Sequence, residues 1–247
     1  MQYKFKNSLF YKILISIFFI ISCNESQKET ISKNGMVSSA HPIASKVGID
    51  ILKNGGNAFD AAIGVHFALS VVYPNAGNIG GGGFAVYRLN DGEVGSLDFR
   101  EKAPMKSYRD MYISNTEDES TVDDKKSKIG HLASGVPGSV DGMVKLHEKF
   151  GSLDWKLLLE PSIKLAKNGF KLTLKQSNSL NNVMMVFDSI NGSKVSFVKE
   201  FEWEENDVLI QEDLSKTLER IRDKKRDGFY SGITADYIIN EMNAGNG

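Results

Sequence analysis

The sequence predicts a layered α+β domain whose second half is rich in helices. Three observations carry that expectation: a helical stretch between residues 58 and 72 that is apolar almost all round, a glycine-rich loop that opens into a hairpin between residues 84 and 100, and a run of helical segments from residue 140 onward. A helix without a polar face is enclosed by other layers, so the first of these belongs at the centre of the domain. At 247 residues, 41% hydrophobic and 25% charged, the chain is long enough to build such a core.

Each element has a local cause. Met36-Val37-Ser38-Ser39 reads as a short strand, and Pro42 then opens a helix in which Ile43, Val47 and Ile51 recur every four residues. Asn54-Gly55-Gly56 stops that helix, and Asn57 with Asp60 three residues later caps the next, which runs to Val72 ahead of Pro74. Phe84 to Leu89 is β-branched and aromatic, Asn90-Asp91-Gly92 is a turn, and Glu93 to Arg100 alternates as the return strand. A turn centred near Asp91 sets Arg100 beside Gly81 to Gly83, with Leu97 and Phe99 on one face and Asp98 and Arg100 on the other. The acidic stretch through Glu117, Asp118, Glu119, Asp123 and Asp124 reads as a solvated surface loop. Beyond a turn-rich segment from His131 to Gly138, helices are expected at Val140 to Phe150, at Trp155 to Lys167 with Pro161 interrupting it, and at Leu172 to Phe187, Leu214 to Arg226 and Ile233 to Met242.

The amino end differs from the rest. Lys4, Lys6 and Lys12 precede an apolar run from Ile13 to Ile21, a signal-peptide layout that is about half the length of a membrane span. Ile20-Ile21-Ser22-Cys23 resembles the lipobox of bacterial lipoproteins, in which Cys23 would be lipidated; ordinary cleavage nearby is the alternative. The expected organisation is a signal peptide over 1–22, a polar tether over 23–34, and the domain from 35 to 247. With one cysteine the chain forms no internal disulfide. Its 30 basic residues against 31 acidic ones set up no positive field for nucleic acid, and loss of the three leader lysines leaves 27 against 31. The expected setting is export to the periplasm or cell envelope, with membrane contact through the lipid.

Few side chains offer chemistry. The glycine cluster Gly80 to Gly83 either admits a ligand or anion close to the backbone, or makes a tight connection beneath a neighbouring element. It follows a helix and opens a strand, the reverse of a dinucleotide loop, and no Gly-Lys-Ser/Thr follows it. Arg100 ends a strand opposite these glycines, where its planar fork can hold a carboxylate by two parallel bonds; an ion pair with Asp98 or Glu101 is the competing reading. The four histidines form no metal site. His66 is expected as a satisfied core residue, His147-Glu148 lacks a second helical histidine, and His41 and His131 sit in turns. Ser134 lacks the first glycine of a nucleophile elbow, and the acidic runs lack calcium-loop spacing. No cofactor is expected.

Six strings occur in order: SSAHPIAS from Ser38, ILKNGGNAFDAA from Ile51, NAGNIGGGGF from Asn75, DFREKAP from Asp98, HLASGVPGSV from His131 and AKNGF from Ala166. Together they resemble the large-subunit region of gamma-glutamyltransferases, also called glutathione hydrolases. The resemblance implies a four-layer αββα N-terminal-nucleophile hydrolase fold, incomplete here. It implies a single precursor that cuts itself into a large and a small subunit and thereby exposes a threonine, which attacks the gamma-glutamyl carbonyl to form an acyl-enzyme. It also implies gamma-glutamyl substrates such as glutathione, with Arg100 on their α-carboxylate, and a small subunit from the same precursor as partner. None of Thr30, Thr116, Thr121, Thr173, Thr217 or Thr234 stands in the family's Thr-Thr-His-Tyr/Phe-Ser setting, so the nucleophile is expected beyond residue 247 and no residue of the chemical step is expected here. The strands should then show open edges. A cephalosporin acylase or poly-gamma-glutamate depolymerase of the same superfamily, or a non-catalytic surface-binding lipoprotein, are the alternatives.

Overall fold

The helix at the centre is fixed at both ends by side chains, and the rest of the domain is arranged round it. The computed structural model describes residues 31–116, 119–122, 125–191 and 195–247. The signal segment, Cys23 and most of the tether lie outside them. Val37–Gly247 form one compact unit.

Helix α1, Pro42–Lys53, begins where Pro42 presets the first turn and His41 caps it, the Nδ1 of His41 accepting from the Ile43 amide at 3.2 Å. Burial lowers the His41 pKa, with the Gln176 side chain opposing, and so favours the neutral ring that can accept at Nδ1. Gly55, at φ +91°, takes the left-handed turn after the helix. The strand expected at Met36–Ser39 does not form, because none of the described strands lies beside it to supply a ladder.

Helix α2, Ala58–Val72, buries Ile63, Phe67, Ala68, Val71 and Val72 completely. Asn57 and Asp60 form a reciprocal capping box: the Asn57 side-chain oxygen accepts from the Phe59 and Asp60 amides, and the Asp60 carboxylate accepts from the Asn57 amide at 2.9 Å. Both residues also reach across the fold. Asn57 Nδ2 donates to the Phe150 carbonyl at 2.6 Å, and the buried Asp60 carboxylate accepts from the Ser152 amide at 3.1 Å and the Ser152 hydroxyl at 2.5 Å. At the other end, the side-chain amides of Gln211 and Gln176 donate to the Val71 and Val72 carbonyls at 2.8 and 2.7 Å, filling positions that a helix terminus leaves without partners.

Three helices pack on α2: α1, α3 (Ser139–Phe150) and α4 (Trp155–Asn168). Helix α4 in turn carries α6, Glu212–Lys224, through a Trp155 indole N–H that donates to the Ile221 carbonyl at 3.1 Å. Contrary to expectation, Pro161 does not interrupt α4. Its missing N–H removes one helix bond, but Leu158, Leu159, Ser162 and Ile163 around it are all buried, and their packing holds the helix through the defect. Helix α5 spans Leu174–Asn191, a short α7 spans Asp227–Tyr230, and α8 spans Gly232–Ala244.

Strands β1 (Phe84–Arg88) and β2 (Val94–Asp98) pair antiparallel in the expected register, Phe84 opposite Asp98 and Arg88 opposite Val94. Tyr87 locks the hairpin to the helices by meeting Phe59 of α2 and Phe150 of α3, ring centroids 5.5 and 4.8 Å away. The opposite face carries Phe84, Val86 and Val94, exposed at 64, 85 and 70%. Among the described residues each sheet has only two strands, so the hairpin keeps its expected open edges. Strands β5 (Phe170–Lys171) and β6 (Val208–Leu209) make a further small pair. The acidic loop is corrected in part: β3 (Ile113–Thr116) and β4 (Glu119–Val122) form an antiparallel ladder, since Ile113, Thr116, Thr121 and Val122 suit a strand despite the nearby charge. Residues 117, 118, 123 and 124 lie outside the described residues.

His66 is also corrected. Its ring stands edge-on to Phe67 and Phe99, and its buried Nε2 has no hydrogen-bond partner among the described residues, so it is a core histidine but not a satisfied one. Burial pushes its pKa down to about 4 from 6.5.

Two outcomes follow for the full chain in solution. Asp60→Ala removes the shared acceptor of Asn57 and Ser152 and leaves a space where a buried carboxylate stood, and should cost on the order of 3 kcal/mol, while Asn57→Ala, which removes a cap, should cost about 1–2 kcal/mol; denaturant midpoints check both. His66 stays neutral in the fold while the unfolded chain binds a proton below pH 6.5, so its contribution makes stability fall as pH drops from 6.5 toward 4. Urea titrations of His66→Leu across that window should show a shallower loss than the parent.

Candidate functional site

Strand β2 continues past Asp98 as a backbone rod held from both sides. On one side Phe99 and Gly83 exchange bonds, with Phe99 N–H to the Gly83 carbonyl at 3.0 Å. On the other, Lys102 and Val136 exchange bonds of 3.1 and 2.7 Å. The first two amides of the α3 terminus, Gly138 and Ser139, both donate to the Gly81 carbonyl, at 2.7 and 3.0 Å. The glycine loop, the DFRE segment and the HLASGVPG segment are thus three strings far apart in the chain that meet at one place.

Arg100 sits on this rod and lines an open groove of about 700 Å3 together with Glu101, Lys102, Tyr108, Arg109 and Ser134. The far wall is secured by Tyr112, whose hydroxyl donates to the Leu132 carbonyl at 2.7 Å. Arg100 is 71% exposed along its side chain, and among the described residues its guanidinium makes one ion pair, Nε to Glu101 Oε2 at 3.9 Å. A contact that long on an exposed pair contributes little, so the planar fork remains available to an anion. Asp98, the other competing partner, takes the Arg100 backbone amide instead, at 2.9 Å. Arg100, Lys102 and Arg109 against Glu101 give the lining a positive excess, suited to a carboxylate.

Of the two readings of the glycine loop, the tight connection beneath a neighbouring element holds at Gly82. A Cβ on Gly82 would stand 2.7 Å from the Arg100 Cα, so that residue is small to admit backbone, not ligand; Gly80 alone of this cluster has open space round it. The groove lining contains no threonine, and the wall from Tyr108 to Tyr112 has no periodicity that marks it in the sequence. Ser134 does line the groove, in the turn after the 3-10 segment His131–Ala133, while His131 lies 2.9 Å from Glu241 of α8. His147 ties the α3 C-terminus by a 2.8 Å bond to the Leu153 carbonyl. Among the described residues, no group of three or more His, Cys, Asp or Glu side chains is placed to hold a metal.

The family profile of gamma-glutamyltranspeptidase matches residues 44–247. A glutathione hydrolase proenzyme of Pseudomonas sp. (strain A14) is 42% identical over 98% of this chain and 43% of its own length. The glutathione hydrolase proenzyme of Escherichia coli (strain K12) is 42% identical over 87% of this chain and 37% of its own. The chain therefore spans less than half the length of these curated relatives. Among solved structures, Helicobacter pylori gamma-glutamyltranspeptidase superposes with a TM-score of 0.83 at 42% identity, covering 89% of this chain and 62% of that one. A match that extends along most of the chain and also reproduces its fold means that this chain belongs to the gamma-glutamyltranspeptidase family.

Proposed function

We propose that this chain is the large-subunit region of a glutathione hydrolase precursor, which cleaves gamma-glutamyl amides through a threonine acyl-enzyme. The observation that carries the reading is the 42% identity to relatives named glutathione hydrolase proenzyme, across nearly the whole chain. That identity favours glutathione and related gamma-glutamyl donors over cephalosporins or poly-gamma-glutamate. In this reading Arg100 grips the donor's α-carboxylate by two parallel bonds, a role supported by its place on an open, net-positive groove. The attacking threonine and the oxyanion donors belong to the part of the precursor beyond residue 247. A hydroxyl activated by its own α-amino group attacks the gamma-carbonyl, the amine departs, and water or an amino acid acceptor releases the glutamyl group.

Residues 1–22 are proposed as a signal peptide and Cys23 as the lipidated first residue of the mature protein, with 23–34 as its tether and 35–247 as the domain. The support is the sequence of basic residues, apolar run and Ile20-Ile21-Ser22-Cys23. Export to the periplasm or cell envelope, anchored by lipid, follows from it.

In the full precursor, Arg100→Ala should cost about 2–5 kcal/mol in kcat/KM for glutathione, and Arg100→Lys should recover only part, since it restores charge without the fork. Wild-type efficiency in Arg100→Ala would remove the assignment. The 247-residue chain by itself should release no chromophore from gamma-glutamyl anilides, and steady release would place the nucleophile within it.

A further inference from the structure

We propose that Gly82 and Gly138 are positioning residues for Arg100: together they form a slot that holds the backbone from Phe99 to Glu101, and so fix the root of the guanidinium. The inference rests on the reading of Arg100 as the carboxylate grip. Its own ground is steric. A side chain on Gly82 would bring a Cβ to 2.7 Å from the Phe99 carbonyl oxygen, the Arg100 Cα and the Glu101 nitrogen at once. A Cβ on Gly138 would collide with the same Phe99 carbonyl and stand 2.9 Å from the Arg100 carbonyl oxygen. The two walls are themselves joined, because the Gly138 amide donates to the Gly81 carbonyl at 2.7 Å.

The ring of Phe99 is seated in the same way. One turn along α3, a Cβ on Gly142 would overlap the base of the ring, and one on Gly83 would lie 3.0 Å from its Cε2. Backbone in the slot cannot slide, because Phe99 is paired to Gly83 on one side and Lys102 to Val136 on the other. A long, four-torsion arginine reaches a carboxylate with two bonds only if its Cα is fixed, and a misplacement of about 1 Å in a binding group can cost roughly 10²-fold.

The test uses the full precursor and two donors, an L-gamma-glutamyl anilide and the same anilide with its α-carboxylate capped as the amide. Gly82→Ala should raise KM for the carboxylate donor about 10-fold or more and leave kcat near the parent, because the grip acts equally on ground and transition states. The capped donor should be unaffected, so selectivity falls toward that of Arg100→Ala. A purely structural role would weaken both donors alike, and that result, or unchanged selectivity, overturns the proposal. Should Gly82→Ala fail to fold, Gly83→Ala takes its place. It should show the same loss of selectivity in milder form, and adding Phe99→Leu, which removes the ring atoms the new methyl meets, should restore it. Absence of that rescue counts against the slot. If Arg100→Ala itself leaves selectivity intact, the failure lies with the reading of Arg100, and the slot loses its purpose with it.

Discussion

A carboxylate in the interior, that of Asp60, is the constraint on which the arrangement depends. A buried charge is costly unless every lone pair has a donor, and here the donors come from two parts of the chain more than ninety residues apart. The same group that starts α2 therefore also fixes the turn between α3 and α4. Asn57 repeats the device by capping α2 with its oxygen and holding the last carbonyl of α3 with its nitrogen. The side chains that start α2 are thus the ones that dock it against α3 and the turn that follows it.

From that joint the geometry passes to the groove by contact. Phe59 and Phe150, the residues on either side of the joint, stack on each other at 4.2 Å and together receive Tyr87 from the hairpin. The hairpin carries Phe99 and Arg100 on its continuation, and α3 presents its glycines to that same stretch. The large aromatic contacts set where the hairpin lies, and the small residues allow it to lie close. Neither alone would bring three distant strings of sequence to within hydrogen-bond reach.

Much of this is legible in the sequence wherever the cause is local. Pro42, the Asn57/Asp60 pair and Gly55 each act within one helical turn, and the ends of α1 and α2 follow from them. Asn90-Asp91-Gly92 sets the register that brings Arg100 opposite Gly82. What the sequence conceals is tertiary. The same glycine at position 82 serves a ligand or a backbone equally well until the neighbour is known. Pro161 argues for a break that the buried face of Leu158, Leu159, Ser162 and Ile163 overrides, and His66 sits on the expected apolar face with no hint that its nitrogen lacks a partner. The wall around Tyr112 is fixed by one bond to a carbonyl twenty residues away, which no pattern announces.

The outward face of the hairpin, with Phe84, Val86 and Val94 bare, also bears on how the protein is made. A short ribbon with apolar side chains and open edges will take up any strand that reaches it first. A segment on the same polypeptide arrives at millimolar effective concentration, whereas a stray copy at micromolar abundance arrives far later. Under the precursor organisation proposed above, a covering strand encoded in cis would win that race.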